Sequence, residues 1–148
     1  MKKAFIIISM IVITACDNST NPVLSPNPLN GKWNSVKQNE AAYFIPVEMQ
    51  LLEVLQYKDG ICYGGIVSGS GGFEYGHFWI EFEITTGITD RVSNSIRFTF
   101  QTQTIVLNGF VMRTNGNFDG KIINESRLVG NFQLVEIGRT FELTIEKR

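Results

Sequence analysis

The chain has one histidine, two cysteines and no basic cluster longer than two residues. Each scarcity removes a class of function. His77 alone cannot make a usual zinc site, because no second histidine or clustered cysteine accompanies it. A serine hydrolase needs serine, histidine and an acid together. The Gly-x-Ser-x-Gly elbow is missing, so such a triad can be assembled only in three dimensions. The glycine-rich stretch Ser68-Gly69-Ser70-Gly71-Gly72 lacks the Gly-Lys-Ser/Thr ending, a following helix and a cation, which excludes a phosphate cradle. It reads instead as a flexible loop between strands, able to form a lid at a barrel rim. Scattered basic residues, interleaved with acidic ones, disfavour nucleic acid as a partner. No cofactor or metal is expected. After the first fifteen residues no segment is continuously apolar over the ~20 residues that a spanning helix requires.

Lys2 and Lys3 precede the apolar residues 4–13, and Ile13-Thr14-Ala15-Cys16 follows. This order resembles a bacterial lipoprotein signal peptide ending in a lipobox. The resemblance implies that diacylglycerol joins the Cys16 sulfur, that cleavage follows Ala15, and that the new amino terminus is acylated, palmitate being the expected chain. Two or three acyl chains anchor stably, since each buried methylene contributes roughly 0.8 kcal/mol. A secretory signal followed by a disulfide cysteine is the alternative. The expected location is the bacterial cell envelope, lipid-anchored to a membrane. Asp17, directly after the lipidated position, resembles an inner-membrane retention signal in one bacterial group, and the leaflet stays open.

The expected organisation is a signal peptide at residues 1–15, the lipidated Cys16 with a tether to residue 30, and one folded domain at residues 31–148. Prolines 22, 26 and 28 bias the tether toward extended backbone at ~3 Å per residue. The precursor's formal charge of −1 becomes about −3 once Lys2 and Lys3 are removed. With Cys16 committed to lipid, Cys62 has no disulfide partner and reads as a small buried hydrophobe.

From Gly31 onward apolar residues alternate with polar ones at period two. The clearest run puts Phe78, Ile80, Phe82 and Ile84 on one face, with His77, Trp79, Glu81 and Glu83 on the other. Ile96, Phe98 and Phe100 repeat the pattern, as do Phe141, Leu143 and Ile145. Strands are expected near 31–38, 45–57, 61–68, 76–85, 93–101, 104–113, 117–123, 127–135 and 139–147. The segment 45–57 would also suit a short helix. Asp59-Gly60 and Asn115-Gly116 predict tight hairpin turns, because these residues tolerate positive φ. Asn124-Glu125-Ser126 and Gly138 supply two more reversals, and Gly-Asn-Phe, recurring at 116–118 and 130–132, suggests similar corner geometry on neighbouring hairpins. The fold class is all-β: an antiparallel up-and-down β-barrel of about eight to nine strands, with a β-sandwich as the alternative. Glu81 and Glu83 share one strand face about 7 Å apart, near the range used by glycosidases, but alternating outward glutamates are ordinarily just solvated.

Gly31-Lys32-Trp33 opens the first strand and resembles the Gly-x-Trp signature of lipocalins and their calycin relatives. In that family the tryptophan plugs one barrel end and an arginine of the last strand packs over it. The resemblance therefore implies Gly31, Trp33 and Arg139 as barrel-closing residues, and covers residues 31–148 as architecture. It also implies a small hydrophobic ligand, with Phe78, Ile80, Phe82, Phe98, Phe100 and Phe141 lining the interior. The same residues would equally fill the barrel solid. In that case the protein is a structural or adaptor lipoprotein docking on another envelope protein. No catalytic residue is expected, and neither reading is an enzyme.

Overall fold

The computed structural model describes residues 26–38, 44–107 and 110–148. The expected signal peptide, Cys16, Asp17 and the tether as far as residue 25 lie outside the described residues. Ten strands follow one another among them: β1 (Gly31–Val36), β2 (Val47–Lys58), β3 (Ile61–Tyr75), β4 (Phe78–Asp90), β5 (Ser95–Thr102), β6 (Ile105–Leu107), β7 (Phe110–Met112), β8 (Asn115–Asn124), β9 (Arg127–Leu134) and β10 (Arg139–Lys147). Eight of them close into an antiparallel barrel in the order β1-β10-β9-β8-β5-β4-β3-β2. Apart from the closing pair β1-β10, every barrel neighbour is a chain neighbour once the hairpin β6-β7 is set aside, so the connectivity is up-and-down and the sandwich alternative falls.

Period-two patterning produces this ring. In β2, Val47, Met49, Leu51 and Glu53 face inward and are buried, while Glu48, Gln50, Leu52 and Val54 face solvent. The helical alternative for this segment is thereby excluded. Asp59 and Gly60 have φ of 52° and 77°. Two consecutive positive φ values match the right-handed twist of a two-residue hairpin, which turns β2 directly into β3. At one end of the barrel lie this turn, residues 90–95, residues 124–127 and the start of β1. The opposite end carries the Gly76-His77 turn, the excursion of residues 103–114, and residues 135–138.

Three expectations are corrected. The stretch 68–72 is not a loop but the middle of β3, where Ser70 pairs with both Gln50 and Glu83. Segment 104–113 is not one barrel strand. It is the separate hairpin β6-β7, pinched off where Thr102 and Thr114 bond each other through backbone and hydroxyl. Asn115-Gly116 is no turn. Both residues pair with β5, and the Phe100 ring occupies the space beside Gly116, where an added Cβ would lie 2.0 Å from it.

Large rings fill the interior. Phe73, Phe82, Phe100 and Phe132 pack together, the last two stacked with centroids 4.7 Å apart, and Phe98 stacks on Phe118 at 5.2 Å. The two Gly-Asn-Phe repeats do not mark corners. They bring Phe118 opposite Phe132 on adjacent strands β8 and β9. Cys62 is buried with a free thiol.

Candidate functional site

The residues expected to line a ligand cavity separate on inspection. Ile80, Phe82, Phe98, Phe100 and Phe141 are buried. Phe78 is not: it starts β4 beside the Gly76-His77 turn, beyond the packed interior, and is 49% exposed. Among the described residues the hollows of the molecule open on its outer surface or rim. One of about 490 Å³ is a cleft at the rim where β1 runs out beside β10, bordered by Val36, Phe44, Tyr75, Arg139, Phe141 and Glu142. A shallow depression of about 320 Å³ lies over Gly87.

The barrel-closing set is also redistributed. Trp33 is fully buried at one end, and its indole N–H donates to the Leu29 carbonyl at 2.9 Å. The cation above its ring is Lys147, with Nζ 5.8 Å from the centroid, not Arg139. The register explains the exchange. Trp33 pairs with Lys147, whereas Arg139 begins the same strand eight residues earlier, about 25 Å away at the rise of an antiparallel strand, and is exposed at the opposite rim. Gly31, with φ of 136°, sits beneath the Lys147 side chain.

A buried ion pair that the patterning did not announce lies at the Trp33 end. Glu53 occupies an inward position of β2, and its carboxylate meets the Arg91 guanidinium; the two side chains are 0% and 8% exposed. Glu53 also accepts from the Thr89 hydroxyl, from Arg91 Nε at 3.2 Å and from the Leu29 backbone N–H at 2.8 Å. Asn30 accepts in return from the Glu53 N–H, and Arg91 donates to the Asn27 carbonyl. Residues 27–30 are thus clasped to the barrel end. The available signal was parity: in the series Val47, Met49, Leu51, Glu53 a carboxylate falls on the inward phase.

A second carboxylate cluster ties β8 to the turn before β10. Glu136 accepts from the Thr114 hydroxyl and from the backbone and side-chain nitrogens of Asn115. The Thr114 bond, then the Asn115 N–H, hold its pKa below the ordinary glutamate value against a desolvation that acts the other way. A depressed carboxylate pKa in the folded state contributes stability at neutral pH that is lost as pH falls through the folded value. Glu136→Gln is therefore expected to lower the urea midpoint at about pH 7 and to shrink the further loss seen at about pH 3. Equal acid sensitivity in the variant would remove Glu136 as its source. Asp90, whose pKa is also lowered, chiefly by the Ser93 N–H, adds to the same dependence at the turn of residues 90–95.

The outer face of β1 to β4 holds the most elaborate surface. Register aligns Asn34, Glu48, Gly72 and Glu81 in one row across four strands, and Lys32, Gln50, Ser70 and Glu83 in the next. Trp79 leans diagonally from β4 onto Gly72, as side chains two positions out of register do. A Cβ on Gly72 would lie 2.5 Å from the indole Nε1 and Cε2, so only glycine seats the ring there. The result is a groove of about 430 Å³ with Trp79, 47% exposed, along one side. Further toward the Trp33 end the same face carries an aliphatic row: Val54, Ile66 and Ile88 pair in register, exposed to 68%, 51% and 58%. His77 lies in the turn between β3 and β4 with φ of 73°, exposed. Among the described residues no hydroxyl or carboxylate bonds it. Nor is there among them a group of three or more acidic, histidine or cysteine residues able to hold a metal ion.

Comparison with protein-family models, with curated proteins and with solved structures gave no match.

Proposed function

We propose that the protein is an adaptor lipoprotein of the bacterial envelope, anchored through lipid on Cys16, whose barrel is a filled scaffold that docks on another envelope protein through the outer face of β2 to β4. The observation that carries this reading is the packing of Phe73, Phe82, Phe100 and Phe132 where an internal ligand would sit. A barrel of eight strands is just wide enough for its own side chains to fill. Small-molecule sites need roughly 300–1,000 Å³ of concave, mostly apolar space, and among the described residues the hollows of that size lie at the rim and on the outer face. Kinship with lipocalins is supported only by architecture and by Trp33 buried at one end beneath a cation.

The exposed row Val54, Ile66 and Ile88 is the favoured contact, because three β-branched side chains aligned on a regular sheet make an unusually flat apolar strip for a soluble surface. Two measurements test the reading. Titration with the fluorescent fatty acid cis-parinaric acid is expected to give no saturable signal. A photo-crosslinking residue at position 66 is expected to trap one discrete protein in whole envelopes, whereas one at position 121 on β8 is not. Saturable fatty-acid binding, or identical adducts from both positions, would overturn it.

A further inference from the structure

We infer that the groove around Trp79 is a saccharide-binding site, a second surface independent of the docking strip. Three features of the groove select that ligand class. First, Trp79 is held in place by Gly72 while nearly half of its surface stays open to solvent. The negative face of an aromatic ring attracts the weakly positive C–H groups on the flat side of a pyranose, by the same quadrupole that governs other ring contacts. Second, hydrogen-bonding groups of both kinds line the groove: the carboxylates of Glu48, Glu81 and Glu83 accept, while Gln50 and Lys32 donate. A polyol uses both kinds, because each hydroxyl donates and accepts; a cation would use acceptors alone. Third, Glu48 and Glu81 flank Gly72 from strands on either side, so their backbones stand roughly 10 Å apart. That spacing brackets a sugar ring.

Glycines interrupt β3 on both faces of the sheet, Gly71 on the inner one in register with Met49 and Phe82 and Gly72 on the groove side. A Cβ on Gly71 would meet the Glu48 carbonyl oxygen at 2.4 Å and the Phe82 ring at 2.7 Å. A side chain on Gly72 would displace Trp79 and fill the trough. Beside Gly72, β2 and β3 are hydrogen-bonded on both sides, so no peptide can add there as a further strand.

Maltohexaose and chitohexaose are the probes. The protein has two tryptophans, so an amide correlation spectrum carries two indole N–H signals. Titration with at least one hexasaccharide is expected to shift the Trp79 signal and leave that of buried Trp33 in place. Trp79→Ala is expected to weaken binding about tenfold. Glu81→Gln should weaken it severalfold, and Lys121→Gln, on β8 away from the groove, should not change it. Gly72→Val keeps every polar group but lifts the indole, and should abolish the shift. Affinity is expected to be the same at low and high sodium chloride, because a neutral ligand releases no screened charge. No shift with either sugar, or undiminished binding by Trp79→Ala, would overturn the assignment. So would a shift produced by tetramethylammonium and erased by salt, which would mark the groove as a cation site. None of these outcomes bears on crosslinking from position 66.

Discussion

Glu53→Ala is expected to cost about 3–5 kcal/mol, a large part of the stability of a domain this size. The magnitude follows from what the substitution leaves behind. Arg91 stays charged and almost wholly enclosed, having lost its carboxylate. The Leu29 N–H and the Thr89 hydroxyl lose their acceptor as well. Removing one partner of a buried pair costs more than removing both, because an unpaired charge must then be desolvated. The double variant Glu53→Met/Arg91→Met is accordingly expected to recover about half of the loss, the remainder reflecting the orphaned N–H and hydroxyl. Urea unfolding followed by tryptophan fluorescence measures both. A loss below about 1 kcal/mol for the single variant would mean that water reaches Arg91 and that the clasp is not closed in solution.

Phe132→Ala is expected to cost a similar amount, about 3–5 kcal/mol, by a different mechanism. Phe132 is fully buried and meets Phe100, Phe73 and Phe82 at centroid distances of 4.7, 5.5 and 6.1 Å. Its neighbours are anchored on three other strands of a closed ring, so they cannot collapse freely into the void. The transfer free energy and much of the cavity term are therefore both lost. The variant should bind xenon or benzene in the apolar space created, as dry engineered cavities do, while the wild type should not. Phe78→Ala supplies the contrast: half-exposed at the strand start, it is expected to change stability by no more than about 0.5 kcal/mol. Gas or benzene binding by the wild type would show that the interior is less full than its packing indicates and would revive an internal ligand.

The all-β class and the antiparallel order were legible in the alternation of apolar residues, because one face of every barrel strand is buried; closure was not, since a sandwich buries one face equally, and neither was the division of residues 104–113 into two strands. What also escaped was where that alternation changes phase. In β4 the inward series Ile80, Phe82, Ile84 is even-numbered and then becomes Gly87, Thr89. Read as a simple period, the strand ends at residue 85. In fact the register slips there by one residue: Thr85 and Thr86 both face out and bond the Thr99 hydroxyl, and the strand continues to Asp90. The glycines of 68–72 misled for a related reason. Their composition favours a loop, yet their missing side chains are what let Trp79, Phe82 and Met49 approach β3 so closely. Composition carries no record of which neighbour fills a vacancy. For the same reason Lys147 over Trp33 could not be chosen in advance over Arg139, since only the pairing register places a cation at one end of β10 or the other.

The clasp at residues 27–30 also decides how the molecule carries load. Were Cys16 fixed in a membrane and a partner held on the barrel, as proposed, tension would enter at Asn27 and Leu29 and run along the axis of β1. Its hydrogen bonds to β2 and β10 lie across that axis, so they are strained together in shear and not peeled one at a time. Before any of them is stressed, the pull must first break the Leu29 N–H bond to Glu53 and the Arg91 bond to the Asn27 carbonyl. The ion pair that looks like an oddity of the core is, for a tethered protein, the fixing that keeps traction from reaching the barrel wall.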